Sequence, residues 1–480
     1  MSNFPFVGGS YTARSRNFDA QRCVNLYPEL SGSGTSKSVA ALYGTPGLSL
    51  WASLSGGNVR GLLRFTATIG LAVVGTNVYK LESSGASTLI GTISAGTTPV
   101  SLASNGTIVM VVTGAGGLGY FIDPVAETVT AIADADFVGG DRVDFIDGYF
   151  VWNQPGTQNY QITQLYGTDI DALNFAAAEG SPDLLISLIV DHREIWLFGE
   201  DSTEVHYNSG NQDFPFERIQ GAFIEHGCAA KNSVAKMDNT VYWLSANKHG
   251  QGMVQRAAGY TPERVSTHAV EFAIDEYQRT GRIDDAIAFT YMQEGHAFYV
   301  LTFPTADVTW VFDAATGLWH ERAWRDTEGD LHRHRANCQM QFANSTIVGD
   351  WESGKLYKLE LDTYSDDGAL ISRIRSAPHI AGSDYKRIRY HALQVDMEAG
   401  VGLSSGQGEN PQAMLQWSDD GGHTWGNEHW ASFGRIGEYR RRVRWRRLGN
   451  SRDRVFRLTI TDPVKVAIVG ASVDAEPGTN

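Results

Sequence analysis

Apolar and polar positions along this chain repeat one pattern seven times. An apolar strand ends at a polar turn, a second strand climbs out of the turn, and a third, aromatic-bearing strand closes the unit. The second strands read GLAVVG from Gly70, TIVMVV from Thr107, YFVWNQ from Tyr149, EIWLFG from Glu194, TVYWLS from Thr240, HAFYVL from His296 and TIVGDW from Thr346. The third strands read NVYKLE, GYFID, YQIT, TEVHY, VQRAA, TWVFD and KLYKLE, and the second strands start 37, 42, 45, 46, 56 and 50 residues apart. Runs such as IVMVV, IWLF and AFYVL are almost wholly apolar, as strands covered on both faces must be. Their outer neighbours alternate because one side meets water. Ser104-Asn105-Gly106, Asp147-Gly148, Asp191-His192, Asp238-Asn239, Glu294-Gly295 and Asn344-Ser345 supply the reversals, residues that accept the positive φ of tight hairpin turns.

A period of this length built only of strands marks a β-propeller with one blade per repeat. Stacked sandwiches also space strands regularly, but seven in-phase units of one design favour the propeller. The expected fold is all-β: a six- or seven-bladed propeller, seven preferred, with a β-sandwich-like platform. Three zones are expected. Residues 1–46 are Gly/Ser-rich and irregular apart from CVNLYPE (Cys23 to Glu29), an arm that contributes to the platform. Residues 47–375 are the propeller. Residues 376–480 are a β-rich platform domain with longer strands, concentrated arginine and a Gly-rich loop at Gly400 to Gln412. One helix is expected, in STHAVEFAIDEYQR, capped by Ser266 or Thr267, with Val270, Ala273, Ile274 and Tyr277 on its apolar face.

Composition agrees with many short strands: 480 residues hold 52 Gly, only 14 Pro, and 11% aromatics. A formal net charge of −15 argues against coating nucleic acid with the whole surface, while leaving room for a local basic patch. Cys23, Cys228 and Cys338 are odd in number and scattered, which points to free thiols in a reducing compartment. No secretory signal is read at the N-terminus, and the longest apolar run, Leu184 to Val190, is about one-third of a membrane span. The expectation is a soluble protein made and kept in cytoplasm, without membrane insertion, unless it leaves as part of a larger particle.

The chemistry-bearing motifs are few. Ser418 to Trp425, SDDGGHTW, matches the Asp-box of sialidases and other glycosidases. Asp420 and Gly422 shape its turn, Ser418 and Thr424 bond it, and Trp425 covers it, so the expected role is structural. A glycosidase needs two carboxylates facing one sugar about 5–9 Å apart. Asp284-Asp285 and Asp366-Asp367 are adjacent in sequence and read as solvated loops, so no catalytic residue is assigned. GAGGLG at Gly114 to Gly119 satisfies a dinucleotide pattern but is followed by a strand instead of a helix. His332, His334 and Cys338 offer nitrogen and sulfur ligands without a fourth partner, so neither a metal nor another cofactor is expected.

The strongest electrostatic feature is C-terminal. Arg435, Arg440, Arg441, Arg442, Arg444, Arg446, Arg447, Arg452, Arg454 and Arg457 face only Glu438 and Asp453, ten charges minus two, or +8. On a strand, Arg440, Arg442, Arg444 and Arg446 line one side, and Arg441, Val443, Trp445 and Arg447 the other. Arg440, Arg442, Arg444, Arg446 and Arg447 are the candidate partner- or DNA-facing stripe, with a neighbouring subunit's acids favoured over DNA phosphates.

The chain resembles the tail-hub, or nozzle, proteins of short-tailed bacteriophages, also called packaged-DNA-stabilisation or tail accessory factors. The resemblance is carried by CVNLYPE, IWLFGEDSTEVHYNSG (Ile195 to Gly210), VYWLSANKHGQGMVQRAAGY (Val241 to Tyr260), VTWVFDAATGLWHERAW (Val308 to Trp324) and the ending VRWRRLGNSRDRVFRLTITDPVKVAIVGASVDAE (Val443 to Glu476). It implies a non-enzymatic virion protein: a hexameric ring below the portal and its adaptor ring, closing a channel that retains and then passes genomic double-stranded DNA, and docking fibres or spikes. The competing expectation is a carbohydrate-active propeller, either glycan-binding or a sialidase-like hydrolase using the Asp-box.

Overall fold

The computed structural model describes residues 1–480 apart from 33–34, 115–117, 247–251, 383–384 and 479–480. It is all-β save for one helix among the described residues, and it divides into a β-propeller and a β-sandwich. Four antiparallel sheets follow the chain in order, running from Val59–Arg64 to Ser87–Thr92, Ser101–Ser104 to Thr128–Ala131, Val143–Ile146 to Ile170–Ala177, and Leu185–Asp191 to Phe216–Ile224. In the next, Gly227–Cys228 and Ala235–Met237 both pair with Thr240–Ala246, and Met253–Ala258 and Thr261–Arg264 complete it. The strands from Ile287–Gln293 to Leu318–Arg325 and from Ala336–Phe342 to Lys355–Glu360 make the remaining sheets of the ring.

The ring closes without a covalent link. Gly47–Ser53, from near the start of the chain, pairs antiparallel with Lys355–Glu360, placing Leu48 opposite Leu359. Middle strands are buried along almost their full length: Val109–Val112 and His296–Phe303 expose no residue. Outermost strands such as Thr128–Ala131 are largely exposed. That gradient is the burial order expected when sheets pack face to face around an axis. Phe198 and Trp243 in adjacent sheets pack with ring centroids 5.4 Å apart, an example of the aromatic contact that holds neighbouring sheets together.

Hairpin turns sit where the sequence places them, with two one-residue shifts. Asp147-Gly148 (φ 49° and 97°), Asp238-Asn239 (50° and 60°) and Glu294-Gly295 (48° and 85°) have both central residues left-handed. The fourth-sheet reversal uses His192-Arg193, and that of the closing sheet Ala343-Asn344, instead of Asp191-His192 and Asn344-Ser345. The helix His268–Thr280 begins at Thr267, whose hydroxyl accepts from the Val270 amide at 3.4 Å, and buries Val270 and Ile274 against the neighbouring sheets.

The sandwich is built from both ends of the chain. One sheet orders Leu26–Leu30, Ala40–Gly44, Ala467–Pro477, Ile388–Met397 and Val443–Arg446; the other orders Ala20–Val24, Arg373–Ser376, Asp453–Ile460, Gln412–Ser418 and His429–Ser432. Leu42, Leu393, Leu415, Phe456 and Ile468 fill the space between them. The second sheet runs on into the propeller, because Val24 also bridges Glu321 of Leu318–Arg325. Two expectations are corrected here. Residues 1–46 carry five strands instead of one ordered island; Tyr11–Thr12 pairs with Ala20–Val24 and Leu26–Leu30 with Ala40–Gly44, while Ser2–Phe4, Ala20–Val24 and Ala40–Gly44 also pair with strands hundreds of residues away, which no local pattern marks. Arg373–Ser376 pairs within the sandwich, so that unit begins ahead of residue 376.

Candidate interaction surface on the sandwich

The arginine-rich segment divides into structural and exposed members. Arg454 is 1% exposed, and its Nε and Nη2 donate to Asp419 at 2.6 and 2.8 Å while Nη1 donates to the Leu448 carbonyl. Its guanidinium also lies 4.5 Å from the Tyr390 ring centroid. Arg457 stacks on Trp425 at 3.5 Å, and its Nε donates to the Ser376 hydroxyl. These two arginines hold the sandwich together and are not available to a partner.

The stripe itself is shorter than alternation predicts. The strand covers only Val443–Arg446, which pairs on one side with Ile388–Met397 and forms that sheet's edge. Val443 and Trp445 point into the core, and the Trp445 Nε1 donates to the His429 carbonyl at 2.7 Å. Arg444 and Arg446 therefore share the opposite face. Arg440, Arg441 and Arg442 precede the strand in a turn, where Arg441 N donates to the Glu438 carbonyl, and Arg447 follows it with φ 62°. Alternation does not extend there because a turn rich in arginine has the same polar pattern as the outer half of a strand. Arg444 lies 3.8 Å from Asp474, whereas Arg440, Arg442, Arg446 and Arg447 are exposed and make no ion pair within the chain among the described residues. The same segment exposes Trp430, Ile436 and Tyr439, at 61%, 66% and 75%. A basic edge with apolar side chains beside it suits an acidic macromolecular surface.

The Asp-box hairpin is a closed network. Ser418 Oγ donates to Asp420 Oδ1 at 2.6 Å and accepts from Gly422 N at 2.8 Å. Asp420 also accepts from the His423 and Thr424 amides and from Thr424 Oγ1 at 2.6 Å. These donors, Ser418 first, hold the Asp420 carboxyl well below the usual carboxylate range. Gly422, at φ 90°, adopts a backbone that a side chain would strain. The Ser418, Asp420 and Thr424 side chains thus find partners inside the hairpin, while Asp419 pairs with Arg454.

The other candidates are brought to no common site. His332 sits between Asp307 and Asp326, at 2.6 and 3.1 Å, and its strand ends before His334, which is buried. Cys338 lies apart in another strand, its thiol pushed up to about 12 by burial. No group of three metal-ligating side chains occurs among the described residues. Ala115 to Gly117 of the GAGGLG stretch lie outside the described residues, and the strand Gly119–Asp123 follows it. The propeller axis holds a cavity of about 390 Å³ in which Asp144 is the one lining acid, lying 3.7 Å from Lys236.

Sequence reasoning missed several buried cations and amides. Arg60 is 1% exposed and donates to the carbonyls of Gly75, Ser94 and Thr98. Asn25, within CVNLYPE, donates to the carbonyls of Ala323 and Ser372 and accepts from Ala323 N, tying propeller to sandwich. Its left-handed φ of 53° is the signal that an Asn between two strands can carry.

A closed β-propeller joined to a β-sandwich that carries a basic edge defines an all-β protein of the propeller–sandwich class. Two family models match the chain: Bacteriophage P22 Gp10, beta-propeller, over residues 2–364, and Bacteriophage P22 Gp10, beta-sandwich, over residues 374–476. The chain belongs to this family, the packaged-DNA-stabilisation proteins of the tail hub, or nozzle, of short-tailed phages, and is a structural virion protein. No curated protein matches it in sequence. Among solved structures, it is similar to the computationally designed Ika8 protein (15% identity, 71% of this chain and 100% of that one, TM-score 0.38). It is also similar to YCF48 bound to D1 peptide (9%, 66% and 97%, 0.40) and to PorZ of Porphyromonas gingivalis (12%, 81% and 46%, 0.39). Likenesses this distant carry no argument about function. Among the described residues no helix is long and apolar enough to cross a membrane.

Proposed function

We propose that this chain is one subunit of a hexameric ring below the portal and its adaptor. The ring closes the DNA channel, retains the packaged genome, passes it on ejection, and docks fibres or spikes; its role is mechanical, not enzymatic. The observation that carries this reading is the set of exposed, intramolecularly unpaired arginines Arg440, Arg442, Arg446 and Arg447 on a chain of net charge −15. A basic edge on an acidic body is self-complementary, so copies of the chain favour edge-to-body contact. We further read the propeller as seven-bladed. That reading rests on the first strands of seven sheets, from Val59–Arg64 round to Ala336–Phe342, each giving residues to the axial cavity.

Charge reversal tests the interface. Arg440→Glu, Arg442→Glu and Arg446→Glu together are expected to abolish ring assembly on the portal–adaptor complex while leaving the melting temperature of the free chain unchanged. Assembly that persists, with only salt-dependent binding to double-stranded DNA lost, would assign the edge to DNA instead.

A further inference from the structure

The axial cavity of the propeller, about 390 Å³, is lined by three cations, Arg60, Arg142 and Lys236, and by one acid, Asp144. Lys236 lies 3.7 Å from Asp144, and those two charges offset each other. Arg60 donates to the carbonyls of Gly75, Ser94 and Thr98, which are neutral, so its charge stands. Arg142 has less still. Its Nε is closed off from solvent without a partner, while Nη1 and Nη2 keep accessible surface and bond to nothing in the chain among the described residues. Burial pushes its guanidinium below the ordinary value, and the field of Asp144 offsets that only in part. A chain of net charge −15 thus keeps an excess of two positive charges on its propeller axis.

Arg142 does not stand alone on that wall. Its neighbour Asp141 pairs with Lys231 at 2.6 Å, and Lys231 precedes Asn232, another lining residue. This clasp joins segments 90 residues apart and cancels its own two charges, leaving Arg142 and Asn232 beside it. The backbone fixes Asn232, whose carbonyl accepts from the Ala288 amide at 2.8 Å. Its side-chain amide is partly exposed and has no partner in the chain among the described residues. The Nη end of a guanidinium with an amide N–H beside it is a donor set for an oxyanion. Charge decides which oxyanion. Two uncompensated cations match a phosphate dianion better than a carboxylate, which brings one charge. A cavity of this volume admits a small molecule and not a DNA duplex, so the inference is independent of the function proposed above.

We propose that the axial cavity binds a small phosphate-class dianion, held by Arg142 Nη1 and Nη2 and by the Asn232 side-chain amide. Its source is either free inorganic phosphate or the phosphate of a small monoester. The full chain, in phosphate-free buffer at about pH 8, is titrated calorimetrically with inorganic phosphate, with glycerol 3-phosphate and with acetate. Saturable binding of phosphate or of the ester is expected, and the tighter of the two identifies the source. Acetate is expected to bind at least about tenfold more weakly. Arg142→Gln is expected to weaken phosphate binding about tenfold or more, and Asn232→Ala about threefold or more, each with unchanged circular dichroism. Phosphate is also expected to raise the melting temperature of the native chain, a rise that Arg142→Gln loses. Should Arg142→Gln misfold, Asn232→Ala carries the test. Acetate bound as tightly as phosphate overturns the assignment of a dianion. No saturable binding of either phosphate compound, or binding that both substitutions leave unchanged, overturns the site and leaves ordered water as the partner of Arg142.

Discussion

Arg454 meets Asp419 at the edge of the Asp-box hairpin, with the guanidinium enclosed by aromatic rings and the carboxylate 44% open to water. The two partners are therefore not equivalent. Removing the acid strands a buried cation, while the acid itself can rehydrate. Asp419→Ala is expected to destabilise the chain by about 2–3 kcal/mol in urea unfolding, the loss coming from the arginine left behind. A second residue-scale effect concerns pH. His320 is fully buried with both ring nitrogens unpartnered, and burial, then Arg322 and His296, pushes it down to about 3; His334 is likewise pushed well below its ordinary value, by burial first. Below about pH 6.5 the unfolded chain binds protons that these folded histidines refuse, so each costs about 1.4 kcal/mol of stability per pH unit. Asp366 opposes them: burial pushes it up to about 6, so between about pH 6 and 4 the folded state takes its proton first. Two histidines outweigh one aspartate, and stability falls with acidification. Urea melts from about pH 7.5 to 4.5 are expected to show a shallower acid limb in His320→Leu and a steeper one in Asp366→Asn. Parallel curves would refute the assignment.

The elements that decide the architecture are those pairing across the greatest sequence distance. Gly47 opens the strand that closes the ring, and a Cβ there would run into the carbonyl oxygens of Thr363 and Ser365. Gly47→Ala is expected to cost about 2–3 kcal/mol, read as a lowered melting temperature, because backbone atoms must move to admit it. Deleting residues 1–53 removes both that closing strand and five strands of the two sandwich sheets; limited proteolysis is expected to show propeller and sandwich cleaved together. Protection of either unit would contradict the coupling. The same distances explain what the sequence disclosed. Middle strands such as Glu194–Gly199 were legible because burial on both faces makes them apolar throughout, and hairpins because their turns need Asp, Asn or Gly. The Asp-box was legible for the same local reason. Ala40–Gly44, by contrast, pairs with Leu26–Leu30 and with Ala467–Pro477 at the far end of the chain, and nothing in its own pattern announces either.

At the scale of the whole molecule, the propeller is closed by its own N-terminal strand and continues through a shared sheet into the sandwich. In the function proposed above, that continuity suits a subunit holding its place in a channel wall, and the exposed edge at 440–447 is the proposed contact between copies or with partners. Membership of the Gp10 family fixes the setting as the phage tail. The most direct measurement is electron cryo-microscopy of the purified chain added to its portal–adaptor complex. The account predicts a six-fold ring around the channel with the 440–447 edge at a subunit or adaptor contact. A chain that stays monomeric beside the complex, or binds it with that edge facing open solvent, would contradict it.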